Sequence, residues 1–268
     1  MTIHLPPDFA DWLWLREPAD AAARSADLVD AVRRRLPADR PLVVHDLGSG
    51  TGSMARWLAP RLPGRQHWVL HERDPDLLAL AAAEWDTADA GPVTVATRGS
   101  DITRLRAADL ADAHLVTASA LLDMLTADEV ERTVAACAGR PTLFALTVVG
   151  RVEFTPTDPL DAELTAAFNA HQRRTVDGRT LLGPDAVPAT VAAFRRRGVD
   201  VQIRSSPWRL GPDQPALTAE WLAGWLDAAV EERPELAGAA GAYRERRLAE
   251  SASGRLRVVL HHADLLAG

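Results

Sequence analysis

Apolar residues recur along this chain with two different periods. Leu28, Val29, Val32 and Leu36 fall at helical spacing, and the stretch before Pro41 reads as two helices, 8–16 and 19–36, separated by Pro18. From Pro41 onward, short solid apolar runs alternate with helical ones. Residues 42–46 read as a strand buried on both faces, and 54–62 as a helix stopped by Pro63 and Gly64. A strand over 67–72, a helix over 75–85 and strands over 93–97 and 114–119 continue the rhythm. Thr126 with Glu129 three residues on is a capping box that opens a helix to about 138, and 143–149 is a fifth strand. This alternation predicts an α/β fold, a doubly wound, mostly parallel sheet with helices on both faces.

After 149 the rhythm breaks. A helix over 158–174 and a loop with Gly178 and Gly183 lead to a helix over 184–197. Strands over 199–204 and 255–261, with helices around 217–230 and 234–250 between them, predict an antiparallel hairpin at the sheet edge. The chain thus divides into an N-terminal helical cap (1–40), a core (41–150), an inserted helical or lid segment (151–183) and a C-terminal completion of the sheet (184–268).

Composition narrows the function. With 47% hydrophobic and 25% charged residues the chain reads as one decorated globular domain. A net charge of −7 argues against gripping a phosphate backbone, so no nucleic-acid partner is expected. The arginine runs at 33–35 and 195–197 sit at helix ends, where cations complement the helix dipole. Cys137 is the lone cysteine, which excludes internal disulfides and cysteine–zinc clusters, and no metal site is expected. There is no lysine, hence no Schiff base and no P-loop lysine. No apolar run is long enough to span a bilayer and no leader pattern is present, so a cytoplasmic protein without membrane association is expected.

The candidate chemistry lies at successive strand ends. Asp46-Leu47-Gly48-Ser49-Gly50-Thr51-Gly52 is a glycine turn between a strand and a helix, where missing side chains let backbone N–H groups approach a ligand. Its Asp-x-Gly-x-Gly-x-Gly spacing differs from the Gly-x-Gly-x-x-Gly of dinucleotide binders. Glu72 ends the second strand about twenty residues later, where a carboxylate can accept both hydrogen bonds of a ribose diol. Asp74, two residues further, is the alternative. Asp101 and Ile102 follow the third strand, placed for a carboxylate to meet an adenine amino group while the isoleucine packs on the ring.

Residues 41 to about 149 resemble the core of the class I S-adenosylmethionine-dependent methyltransferases: Asp46 to Gly52 match the first motif, Glu72 the acidic second and Asp101-Ile102 the third. The resemblance implies a Rossmann-like, seven-stranded sheet with an antiparallel last strand and S-adenosyl-L-methionine as cofactor. It places Gly48, Ser49, Gly50 and Gly52 against the methionine and ribose parts and gives Asp46 the ordering of the turn and the amino group. Ser119, opening the segment that borders the methyl group in this fold, joins the cofactor site.

Ser119 to Met124 lacks the Asn/Asp-Pro-Pro-aromatic signature of many amino-group and nucleic-acid methylases, which favours a small-molecule acceptor methylated on O, N or C. Asp123 is a candidate base, or a helix-start carboxylate. In the inserted helix, Leu164, Phe168 and His171 share a face; His171 is a candidate catalytic residue, or a satisfied core histidine, while Asn169 and Arg173 are substrate candidates on another face. Trp12, Trp14 and Arg16 precede the core, where related enzymes often place a lid. Two tryptophans two apart point to different helix faces, so they cannot both be core. Glu153 and Trp208 are weaker candidates. The alternatives are an RNA or protein methyltransferase and a non-catalytic cofactor-binding scaffold; a homodimer is left open.

Overall fold

The computed structural model describes residues 9–86 and 92–268. Helices α1 (Phe9–Ala23) and α2 (Ala26–Arg33) precede the sheet. The expected break at Pro18 is corrected: Pro18 lies inside α1, and the chain turns at Arg24–Ser25. Proline removes one hydrogen bond to Trp14, but the helix is held on both sides of it. Trp12 and Leu15 pack into an apolar cluster, Arg16 grips Asp20, and Arg56 grips Glu17 at 2.5 Å. Ser25 then caps α2, its hydroxyl accepting from Leu28 N. Residue 8, where the first helix was expected to begin, lies outside the described residues.

The alternating core follows: β1 (Leu42–Leu47), α3 (Ser53–Leu58), β2 (Gln66–Glu72), α4 (Pro75–Asp86), β3 (Val93–Gly99), β4 (Leu115–Ser119), α5 (Ala127–Cys137) and β5 (Thr142–Thr155). The capping box forms as expected, Glu129 N donating to Thr126 Oγ1 at 3.2 Å and Thr126 N donating to Glu129 Oε2 at 2.9 Å. Thr126→Ala should therefore lower stability by about 1 kcal/mol in urea unfolding. Cys137 is buried, which pushes its thiol pKa up to about 12 and makes it unreactive.

Beyond β5 come α6 (Asp161–Gln172), a two-stranded ribbon β6 (Thr175–Val176) and β7 (Arg179–Thr180), α7 (Ala186–Arg195), β8 (Val201–Ser205), β9 (Trp208–Leu210), α8 (Pro215–Glu232), α9 (Ala237–Ala252) and β10 (Arg257–Ala267). The sheet order is β3-β2-β1-β4-β5-β10-β8, with β9 also pairing β10. The first five strands are parallel, and β10 runs antiparallel between β5 and β8.

Both β5 and β10 are longer than their apolar runs indicate. Val152–Thr155 pair with Arg257–Leu260, and β9 adds to the same end. The overrun half is covered by α6, α8 and α9 through a cluster of Phe154, Trp221, Trp225, Tyr243 and Leu236. The boundary expected at 150/151 falls inside β5. Two further clusters fill the two faces of the parallel half, one under α2, α3 and α4, the other under α5 and α7. No helix among the described residues is long and apolar enough to cross a membrane.

Candidate active site

The carboxyl ends of β1 to β4 open into one cavity of about 230 Å³. Gly48, Gly50 and Gly52 all take positive φ, +61°, +53° and +85°, which an L side chain rarely adopts. A Cβ at Gly48 would come within 2.9 Å of Leu121, and one at Gly50 within 3.1 Å of Leu13 on α1. The turn is tied to β2 by Ser49 N donating to His71 O, and Gly50 N donates to Glu72 Oε2 at 3.1 Å. The other Glu72 oxygen receives the backbone N–H groups of Arg73 and Asp74, so the carboxylate is held rigidly at the cavity wall. Asp74 caps α4 instead, accepting from Asp76 N and Leu77 N.

Asp46 is 1% exposed, and burial pushes its pKa up to about 6 against the pull of Thr117, whose hydroxyl donates to Oδ1 at 2.7 Å. Its Oδ2 has no hydrogen-bond partner among the described residues, and neither do the buried hydroxyls of Ser49 and Thr51. Three acceptors or donors left bare in one wall are costly unless a ligand meets them. Arg24 is the cation nearby. Buried between α1 and α2, it donates to Ser53 Oγ and Ser119 Oγ, both at 3.1 Å, and burial lowers its pKa. Nothing in its sequence context marks it; only the fold brings it to the end of β4.

Asp101 and Ile102 also line the cavity. Burial draws the Asp101 pKa up, but hydrogen bonds from Thr103 N at 3.0 Å and Thr103 Oγ1 at 2.7 Å outweigh it and hold the group below the ordinary carboxylate range. Ser119 lies at the end of β4, and Ala120 after it adopts φ +51°, turning the chain along the cavity wall. Gly52 is in the turn but does not line the cavity; it precedes α3.

Of the residues expected on the acceptor side, Arg16 lines the cavity. Its guanidinium lies over Trp208 at 4.9 Å and over Trp12 at 5.7 Å, and donates to both oxygens of Asp20, a second lining residue. Trp12 packs on Trp208, whereas Trp14 sits on Arg56 at 4.6 Å; they diverge as their spacing requires, but Leu13 between them, with Phe9, is the residue that faces the cavity.

Asp123 lies in the turn after β4 near Arg16 without lining the cavity; burial raises its pKa. His171, Asn169 and Arg173 do not line the cavity either. His171 Nε2 lies 3.2 Å from Glu231 on α8, Asn169 Nδ2 donates to Gly150 O, and Arg173 pairs with Asp185 at 2.6 Å. Helix α6 packs on α8 rather than over the strand ends, so its polar residues hold the insertion in place. Glu153 is taken by His261 and Arg151, and Trp208 Nε1 donates to Asp20. No group of three or more metal-ligating side chains is assembled among the described residues.

This strand order and cavity place the chain among solved structures. A cyclopropane synthase from Mycobacterium tuberculosis is 14% identical with a TM-score of 0.51, over 98% of this chain and 95% of that one. A mycolic acid cyclopropane synthase complexed with SAH and CTAB is 10% identical with a TM-score of 0.50, over 90% and 83%. The fold is the Rossmann-like methyltransferase fold. An S-adenosylmethionine-dependent methyltransferase from Geobacter sulfurreducens is 18% identical with a TM-score of 0.46, over 99% of both chains. No family model matches the chain, and no curated protein matches it either. Within the methyltransferase fold the cavity sits at the carboxyl ends of β1 and β4, where the strand order reverses.

Proposed function

We propose that the chain is an S-adenosylmethionine-dependent methyltransferase acting on a small molecule. The observation that carries the reading is the wall of bare polar atoms, Asp46 Oδ2, Ser49 Oγ and Thr51 Oγ1, on a positive-φ glycine turn above the anchored carboxylate of Glu72. These groups fit the cofactor: a buried carboxylate for an ammonium, an open backbone for a ribose and a second carboxylate for its diol. A structure of this fold complexed with SAH agrees with that fit.

When bound, the cofactor supplies an electrophilic methyl group. Asp46 holds the amino group, Glu72 the ribose and Asp101 with Ile102 the adenine, while Gly48, Gly50 and Ser119 line the path between. Phe9 and Leu13 of α1 cover the cavity and exclude water. Arg16 and Asp20, stacked and paired at the α1 side, orient the acceptor.

A cavity of this size beneath a helical lid, in a chain of net charge −7, suits a small molecule better than a polynucleotide. The test is methyl transfer to a panel of metabolites. With any substrate found, Arg16→Ala should raise KM about tenfold, the worth of one charge-assisted contact, whereas His171→Ala should leave kcat/KM unchanged. Unchanged kinetics in Arg16→Ala would remove α1 from the acceptor site.

A further inference from the structure

Beneath the cavity, on the α5 side of the sheet, two histidines occupy positions that are otherwise apolar. His45 on β1 and His71 on β2 are fully buried, and their side chains emerge on the same face because His71 pairs with Leu47, two residues from His45. They belong to an unbroken polar chain. Asp112 Oδ1 lies 3.1 Å from His45 Nε2, His45 Nδ1 lies 2.8 Å from His71 Nε2, and His71 Nδ1 lies 3.0 Å from Ser100 Oγ. Asp112 is 67% exposed, whereas Ser100 lines the cavity next to Asp101.

The direction of every hydrogen bond in this chain is determined by its outer end. An ionised carboxylate only accepts, so His45 must donate from Nε2. A neutral imidazole has one N–H, which leaves His45 Nδ1 a bare lone pair; His71 must then donate from Nε2, leaving its own Nδ1 bare. Ser100 can satisfy that nitrogen only by giving up its single hydroxyl proton. The competing acceptor, Arg98 O, lies at 3.5 Å, at the limit of a hydrogen bond. Both rings are neutral because burial lowers their pKa, that of His71 to about 4. Arg98 and His67 act in the same direction, and Asp109 and Asp112 only partly oppose them.

We infer that Ser100 is a ligand-recognition residue whose Oγ faces the cavity as an acceptor only, polarised by the relay Asp112–His45–His71, and that it receives an N–H or O–H from the nucleoside half of the bound cofactor. This rests on the cofactor reading above for the identity of the ligand, but not for the direction of the relay. Asp112, His45 and His71 are positioning residues, and Asp112 acts on the cavity from the protein surface through two rings.

Two measurements on the full chain test it. In nitrogen-15 spectra of the free protein near neutral pH, both buried histidines should show the Nε2–H tautomer; Nδ1–H on both would mean the relay runs the other way and overturn the inference. In calorimetric titration with S-adenosylhomocysteine, Ser100→Ala and Asp112→Ala should each weaken binding by about three- to tenfold, the worth of one hydrogen bond. The double variant should lose no more than Ser100→Ala alone, because Asp112 acts only through Ser100. Additive losses, or an unchanged Kd in Asp112→Ala, would sink the coupling. Failure of the wild type to bind while both rings show Nε2–H would overturn the cofactor reading and with it the ligand assigned to Ser100, and leave its polarity established.

Discussion

Glu72→Ala and, separately, Gly50→Val are expected to weaken S-adenosylhomocysteine binding by at least about 100-fold in calorimetric titration, the equivalent of losing two charge-assisted hydrogen bonds. The two substitutions attack one construction from opposite sides. Glu72 is held by three backbone N–H groups, from Gly50, Arg73 and Asp74, so its carboxylate is already oriented when a ligand arrives. Alanine removes the acceptor for a diol and also frees Gly50 N. At Gly50 the backbone sits at φ +53°, and an added Cβ lies 3.1 Å from Leu13, so a β-branched residue distorts the turn and pushes on the lid. Circular dichroism and the thermal midpoint separate lost binding from lost folding. Wild-type affinity in both variants would mean the glycine turn does not hold this cofactor.

Asp46→Asn is expected to make the free protein more stable and the binding worse. The folded-state pKa of Asp46 is raised to about 6 by burial, net of its attraction to Arg24, against an unfolded value of about 3.9. Between those values the folded chain holds a proton that the unfolded chain has released. The contribution of this group to stability is therefore greatest at low pH, declines from about pH 4 to about pH 6, and is lowest above that. Two pKa units correspond to about 2–3 kcal/mol at neutral pH. Asparagine keeps the shape and the Thr117 contact without the charge, so urea unfolding should show the variant about 2–3 kcal/mol more stable near pH 7 and the gap closing near pH 4. The charge that costs stability is the one available to an ammonium group, so affinity should fall. Equal stability of both proteins across that pH range would show that Asp46 carries no such strain.

The elements most legible in the sequence were those where one local rule sufficed. The apolar runs at 42–46 and 67–72, the Thr126–Glu129 capping box and the glycine turn all describe neighbours in sequence, and the structure matches them to within a few residues. Glu72, Asp101 and Ile102 line the cavity because a strand end in a parallel sheet points one way, so a residue's place along the chain determines its place there. Pro18 misled because a proline's local cost was outweighed by tertiary anchors on both flanks of α1. His171 misled because helical periodicity says which residues share a face but not which partner that face meets; here it is α8, through Glu231.

Sequence alone determined the alternating order of the core, the strand ends at which its cavity-lining carboxylates lie and the type of turn between β1 and α3, since each follows from backbone sterics and the period of side chains. Only the tertiary structure decided that Arg24 reaches Ser119, that Leu13 rather than a tryptophan closes over Gly50, and that Asp112, His45, His71 and Ser100 form one chain. Those contacts join residues dozens of positions apart. Their formation depends on which strands lie side by side and how far β5 and β10 overrun the parallel sheet, a balance of packing over the whole molecule that no local pattern encodes.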